Sequence, residues 1–180
     1  MQKSHAVQIC ICAVLTVFAV LFQSAPVFLP MAGMLLSPLA TFPIALAAHE
    51  SKSLGAASYF AAGAILLFIF PEEALIFFLT TGIIGLSLGI YNRSFLKAIA
   101  ATTGILFGGM NLLTYLAGIS LFGDLTRNLP FWDSFAPYLL FSLGYAAAWV
   151  LLLRYIFRIL EKRGILRKPG EDKSRGKKQA

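Results

Sequence analysis

Two prolines interrupt one apolar run of this sequence, "MLLSPLATFPIALAAHESK" at residues 34–52. A proline has no N–H to donate, so Pro38 removes the helical hydrogen bond to the carbonyl of Met34, and Pro43 removes another one further along. Inside a membrane, unpaired backbone groups are tolerated only against protein or a water-filled cavity. We therefore take Pro38 and Thr41 as candidate ligand-binding residues. A kink that serves packing alone is the other interpretation.

Small and polar residues recur on one face of two later apolar segments. They are Gly82, Gly85 and Gly89 in one segment, and Gly104, Gly108, Asn111, Tyr115 and Gly118 in the next. Glycine faces let membrane helices approach each other closely. Asn111 needs a hydrogen-bond partner in an apolar environment, and Tyr115, one turn later, is placed to be that partner or to line a cavity beside it. These two residues complete the predicted ligand-binding set, with a hydrogen bond between helices as the alternative.

Residue patterns for catalysis or metal binding are missing from the sequence. It has no metal-binding His–Glu helix, no nucleophile with a positioned base and no glycine-rich phosphate loop. Cys10 and Cys12 are the only cysteines. On a helix they point to nearly opposite faces and cannot chelate one metal together. We predict no enzymatic activity, no metal and no cofactor.

Ionisable side chains fall at the ends of the apolar segments. His49 and Glu50 end one segment, and Glu72 and Glu73 precede another. These two glutamates could attract cations, but a solvated helix start, where carboxylates suit the helix dipole, is the simpler interpretation. Charges inside a membrane mark proton and ion pathways. Since none is expected at mid-membrane, the sequence argues against a pump or a proton-coupled carrier.

The composition indicates the fold class and the number of helices that carry these residues. Hydrophobic residues make up 58% of the 180 residues and charged residues only 13%, against about 25% charged in soluble domains. Six segments approach the length of about 20 residues that a spanning helix needs. They are Ala6–Phe22, Val27–His49, Leu54–Phe70, Ala74–Tyr91, Ala98–Phe122 and Ala136–Phe157. The sequence predicts an all-α, polytopic membrane bundle of six transmembrane helices, with short links between antiparallel neighbours.

The charges predict the orientation of this bundle. One set of ends carries Lys3, Lys52, Arg93, Lys97 and ten cations from Arg154 onward, and the other carries Glu72, Glu73, Asp124 and Asp133 with Arg127 as its only cation. Positively charged loops stay in the cytoplasm. We predict a multi-pass protein of the cytoplasmic membrane with both termini cytoplasmic.

A basic tail is predicted to follow the membrane domain. Residues 1–160 form the six-helix domain in this interpretation, and residues 161–180 form a basic, disordered cytoplasmic tail. Near an anionic leaflet each cation contributes about 1 kcal/mol. The residues predicted to meet anionic lipid headgroups are Arg158, Lys162, Arg163, Arg167 and Lys168. Because the tail has no interleaved aromatic residues for base stacking, we do not predict a nucleic-acid partner.

Two stretches resemble the bacterial membrane proteins of the YybS-like, DUF2232 type: "SPLATFPIALAAHESKSLGAASYFAAGAILLFIF" and "GIIGLSLGIYNRS". More loosely, six short helices in 180 residues are similar to the substrate-binding subunits of energy-coupling-factor vitamin transporters. Those subunits commonly carry an Ala-x-x-x-Ala motif in the first helix, which "QICICAVLTVFAV" lacks. The resemblance implies a helical membrane fold and names no substrate.

The first functional hypothesis is therefore a membrane protein that binds a small molecule or serves as a transporter subunit. The alternative is a non-transporting scaffold or assembly factor, for the cell envelope, that holds a membrane protein partner through glycine faces and its basic tail. A transporter subunit should have polar groups that reach mid-membrane, whereas a scaffold can be packed throughout by apolar contacts.

The predicted orientation can be tested by cysteine labelling in intact cells. We expect Asn128→Cys to react with a membrane-impermeant maleimide, since it lies in the predicted outer loop, and Ser174→Cys to react only after permeabilisation. The reverse pattern would overturn the predicted orientation.

Overall fold

The computed structural model describes residues 5–91, 94–118 and 131–163, and within these ranges all regular structure is helical. In chain order the elements are α1 (His5–Phe28), α2 (Pro30–Leu36), a 3₁₀ turn (Ser37–Ala40), α3 (Thr41–Glu50), α4 (Lys52–Ile69), α5 (Pro71–Ile76), a π-helical turn (Phe77–Thr81), α6 (Gly82–Tyr91), α7 (Phe95–Tyr115) and α8 (Phe131–Lys162). The 3₁₀ turn joins α2 to α3 and the π turn joins α5 to α6. Each of these trios forms one long interrupted helix.

Within the described ranges, six stretches of helix are long and apolar enough to cross a membrane. They are Ala6–Phe28, Pro30–Glu50, Lys52–Ile69, Pro71–Tyr91, Phe95–Tyr115 and Phe135–Lys162. The predicted all-helical fold with six potential spans is therefore confirmed at the level of helix number, length and composition, and the orientation of the termini stays a prediction. We refer to these stretches as spans 1 to 6.

Two of the observed helix ends differ from the predicted ones by more than five residues. The first helix continues to Phe28 instead of ending at Phe22, and it accommodates Pro26 inside its last turns. The fifth helix ends at Tyr115 instead of Phe122. Gly118, predicted to lie on the face of that helix, is beyond its end with a φ of 69°, a conformation that glycine adopts without strain.

Very short links connect the first four spans. Single residues, Leu29, Ser51 and Phe70, separate successive helices, and Pro30 and Pro71 occupy the first positions of theirs, where a missing N–H removes no helical bond. Such links place consecutive spans antiparallel. We call the end where α3 and α8 finish the His49 end, and the end where spans 1 and 3 finish the Glu73 end.

α3 and α6 lie at the centre of the bundle, and most residues of both are buried. A methyl group added at Gly85 would lie 2.5 Å from the backbone oxygen of Thr41, and one added at Gly89 would lie 2.5 Å from Cβ of Ala48. The predicted close approach through these two glycines is confirmed. By contrast, Gly104 and Gly108 of α7 face open space.

The ends of α3 and α8 meet at the His49 end. The imidazole of His49 stacks on the ring of Phe157, with 4.5 Å between centroids, and its Nε2 lies 3.5 Å from Oε1 of Glu161. Nearby, the guanidinium of Arg154 lies 5.0 Å from the ring centroid of Phe95 at the start of α7. These contacts hold the last turns of α8 against spans 2 and 5.

Three of the five predicted membrane-surface residues belong to the described part of the chain, at the end of α8. Arg158, Lys162 and Arg163 are exposed on its last turns and just past its end. Arg167 and Lys168 lie outside the described residues. The exposed cations are therefore in a position to meet lipid headgroups, and binding to them stays a prediction.

The contact between α3 and α6 can be tested with a matched pair of glycine substitutions. Gly85→Ala should lower the free energy of unfolding by about 1–3 kcal/mol, because the new methyl group collides with the Thr41 carbonyl. Gly108→Ala enters open space and should be neutral or stabilising by up to about 1 kcal/mol, since alanine favours helix. Thermal unfolding in detergent measures both, and equal effects would contradict the close contact.

Candidate functional site

The proline break in span 2 is closed by one turn of 3₁₀ helix. The N–H of Ser37 donates to the carbonyl of Gly33, and the N–H of Thr41 donates to the carbonyl of Pro38. A tighter i to i+3 turn thus accommodates the missing N–H of the proline. Pro38 leaves the carbonyl of Met34 without its helical donor. Met34 is 71% exposed and lies on the periphery of the bundle.

Span 4 carries the opposite irregularity, a widened π turn. The N–H of Gly82 donates to the carbonyl of Phe77, five residues earlier. Bulky rings occupy the turn: Phe77 stacks on Tyr59 of α4 at 5.7 Å, and Phe78 meets Tyr59 edge-on at 5.4 Å. Turns of this kind are rare inside α-helices and are frequent at functional sites.

Neighbouring helices meet the carbonyl groups of the π turn. The hydroxyl of Tyr59 donates to the carbonyl of Phe78 over 3.0 Å. Gly109 of α7 brings its Cα against the carbonyl of Leu79, where a larger residue would collide. In hydrocarbon an unsatisfied carbonyl is costly, so these contacts fix the positions of spans 3 and 5 around the turn.

The two irregular turns are joined by a chain of hydrogen bonds that continues to the first helix. Thr41 Oγ1 donates to the carbonyl of Thr81 over 3.1 Å, and Thr81 Oγ1 donates to Oε1 of Gln23 over 2.6 Å. Gln23 Nε2 then donates to Oε2 of Glu73 over 2.8 Å. Thr41 and Gln23 are fully buried, and Thr81 is nearly so. We call these four residues the polar seam.

The polar seam extends from one end of the bundle to its middle. Thr81 is the central residue of span 4, which has 21 residues from Pro71 to Tyr91. With a helical rise of about 1.5 Å per residue, Thr81 lies about 15 Å from Pro71. Thr41 stands at a similar depth near the middle of span 2. In span 6 the side chain of Tyr145 comes close enough to Thr41 to interact with its hydroxyl.

The two adjacent carboxylates at the start of α5 have different surroundings. Glu72 is exposed, as the sequence predicts for both, whereas Glu73 is only partly exposed and turns toward Gln23. Both glutamates lie in the first turn of α5, as predicted, but Glu73 is only partly solvated. Its position follows from Gln23, because a buried carboxamide has few other acceptors at that depth for its N–H₂ group.

The four residues predicted to bind a ligand fall into two groups. Thr41 belongs to the polar seam, and Pro38 lies one 3₁₀ turn before it. Asn111 donates from Nδ2 to the carbonyl of Phe107 on its own helix over 2.7 Å, and its Oδ1 has no hydrogen-bond partner in the described chain. Tyr115 is 42% exposed at the Glu73 end of α7. Ligand binding by either group stays a prediction.

Sequence reasoning missed Gln23, Thr81 and Tyr59. Each lies in an apolar run where a polar side chain must find a partner, and this is the signal that could have singled them out. Gln23 in "VLFQSAP" and the pair Thr80–Thr81 in "FFLTTG" stand out on that criterion. Their pairing could not be read from spacing, because Gln23 and Thr81 are 58 residues apart in the chain.

Comparisons with protein-family models, with curated proteins and with solved structures find no match to this chain. The resemblance to the YybS-like type therefore stays a prediction.

Removing the hydroxyl of Tyr59 tests whether its hydrogen bond stabilises the π turn. Tyr59→Phe keeps the ring stack but leaves the carbonyl of Phe78 without its side-chain donor, so the free energy of unfolding should fall by about 0.6–1.7 kcal/mol. Tyr155→Phe, at an exposed position of α8, is the matched control and should change little. If the two variants melt at the same temperature, the Tyr59 hydroxyl does not stabilise the turn.

Proposed function

We propose that this chain is a multi-pass membrane protein that binds a small polar molecule between spans 2 and 4, as a solute-binding protein or a transporter subunit. One observation carries the proposal. Two irregular helical turns, one in each span, meet at the middle of the bundle and are connected to its Glu73 end by buried polar groups.

This arrangement has the physical properties that solute binding in a membrane requires. Transporters place their sites near mid-membrane on interrupted helices, whose backbone groups are available for a ligand. Irregular backbone at that depth needs protein or a polar cavity around it. Here the hydroxyls of Thr41 and Thr81 and the carboxamide of Gln23 provide donors and acceptors in an otherwise apolar interior.

The proposed orientation places the Glu73 end outside the cell and both termini in the cytoplasm, as the positive-inside rule favours. A solute would then enter the polar seam from the outer face. On the cytoplasmic side, Arg158, Lys162 and Arg163 would lie at the level of anionic lipid headgroups.

The scaffold alternative is supported by a separate observation on α7. Gly104 and Gly108 are exposed and face open space in the described chain. A membrane-spanning helix of a partner protein could pack closely against these glycines. This face and the polar seam involve different residues, so variants can separate the two functions.

Native mass spectrometry of the full chain, released from its membrane in mild detergent, tests solute binding. We expect the wild-type chain to carry a small-molecule adduct that Thr41→Val loses. Thr16→Val is the matched control, because Thr16 is also buried but donates to the carbonyl of Cys12 in its own helix. It should keep the adduct.

Two results would contradict the proposal: a wild-type chain that carries no adduct, or a Thr41→Val chain that carries as much as wild type. A protein co-purifying with wild type and lost in Gly104→Ile, together with no small-molecule adduct, would favour the scaffold instead.

A further inference from the structure

We propose that Glu73 is a proton-binding site and that Gln23 passes its protonation state to Thr81 at mid-membrane. The inference rests on the proposed function, since it names the ion that would accompany the solute. It also revises the expectation, drawn from the sequence, that this chain is not proton-coupled.

The surroundings of Glu73 leave its negative charge incompletely compensated. The carboxylate accepts one hydrogen bond, from Gln23 Nε2, and in the described chain the charged group that acts on it is the neighbouring carboxylate of Glu72. A partly buried carboxylate beside a like charge is stabilised by taking up a cation or a proton. Part of Glu73 stays exposed, so protons can reach it from the Glu73 end.

The helices around α5 bring few charged groups to this end. On α5 itself the neighbouring titratable group is Glu72. In the described parts of α1, α4 and α7, the titratable group near the Glu73 end is the phenol of Tyr115. The other ionisable residues at the ends of these helices, His5, Lys52 and Lys97, are in the first turns, at the opposite ends of the three helices. Asp124 and Arg127 are outside the described residues, so an Arg127 variant belongs in the test.

The hydrogen bonds of Gln23 have a direction that depends on the charge of Glu73. A carboxylate only accepts hydrogen bonds, so it must face the N–H₂ group of Gln23, and the carboxamide oxygen must then accept from Thr81. When Glu73 binds a proton, its new O–H becomes a donor. The carboxamide can then rotate by half a turn, so that Oε1 accepts from Glu73 and Nε2 donates to Thr81 Oγ1.

This reversal reaches the junction of the two irregular turns. When Gln23 donates to Thr81 Oγ1, the hydroxyl of Thr81 can rotate and donate its own hydrogen bond to a backbone carbonyl of the preceding turn, as threonines in helices commonly do. Thr81 is the last residue of the π turn, and its own carbonyl accepts from Thr41. One proton at the edge of the bundle thus changes the hydrogen bonding at its centre, with no other group oxidised, reduced or transferred.

Infrared difference spectroscopy of the full chain in lipid vesicles tests this inference, between alkaline buffer and mildly acidic buffer at about pH 6, where carboxyl groups with the ordinary pKa of about 4 stay ionised. We expect acidification to produce a carboxylic-acid band together with a change in a side-chain amide band. Glu73→Gln should abolish the carboxylic-acid band and the amide change together. Gln23→Leu should lose only the amide change. Glu72→Gln and Arg127→Gln are the matched controls and should keep both signals.

A carboxylic-acid band that persists in Glu73→Gln would overturn the proton site, and an amide change that persists in Glu73→Gln would overturn the coupling. Stabilisation of the wild-type chain by sodium chloride over choline chloride, lost in Glu73→Gln, would assign the site to a metal cation instead of a proton. No solute is needed for these signals. If the infrared signals are absent but an adduct forms and depends on Thr41, only the proton site is refuted. If the signals are present but no adduct forms, only solute binding is refuted.

Discussion

The need to satisfy backbone carbonyls in the middle of the bundle constrains the rest of this structure. A 3₁₀ turn in span 2 and a π turn in span 4 both interrupt the regular helical ladder at a depth where hydrocarbon offers no hydrogen bonds. The bundle supplies the donors itself: Thr41 meets the carbonyl of Thr81, and Tyr59 meets that of Phe78. Because these donors come from spans 2 and 3, they fix how both spans pack against span 4.

Close helix packing makes this arrangement possible. Gly85 and Gly89 let α6 approach the backbone of α3, and this approach brings the two irregular turns within hydrogen-bonding distance. Once Thr81 faces α1, its hydroxyl can reach Gln23, which then orients Glu73. The polar residues that we assign to solute and proton binding are therefore also the residues that join three spans, so function and stability depend on the same contacts.

Hydropathy predicted the helices because every backbone group in a membrane must be satisfied within its own helix, which requires long apolar segments. The polar seam could not be predicted in the same way. A π turn inserts one residue and rotates the following face by about 100°, so the 3.6-residue period no longer tells which side chains share a face. Asn111 illustrates another limit: spacing suggested Tyr115 or a neighbouring helix as its partner, but its Nδ2 donates to the carbonyl of Phe107 on its own helix.

A double-mutant cycle between Gln23→Leu and Thr81→Val most directly tests whether the polar seam joins the spans. These side chains meet at 2.6 Å, and neither substitution removes a backbone group. Measured by reversible unfolding in detergent or bicelles, the two changes should show a coupling of about 0.6–1.7 kcal/mol, the range of hydrogen bonds between membrane helices. Effects that add to within about 0.3 kcal/mol would mean that the two residues do not interact, and would contradict a polar seam that joins span 1 to span 4.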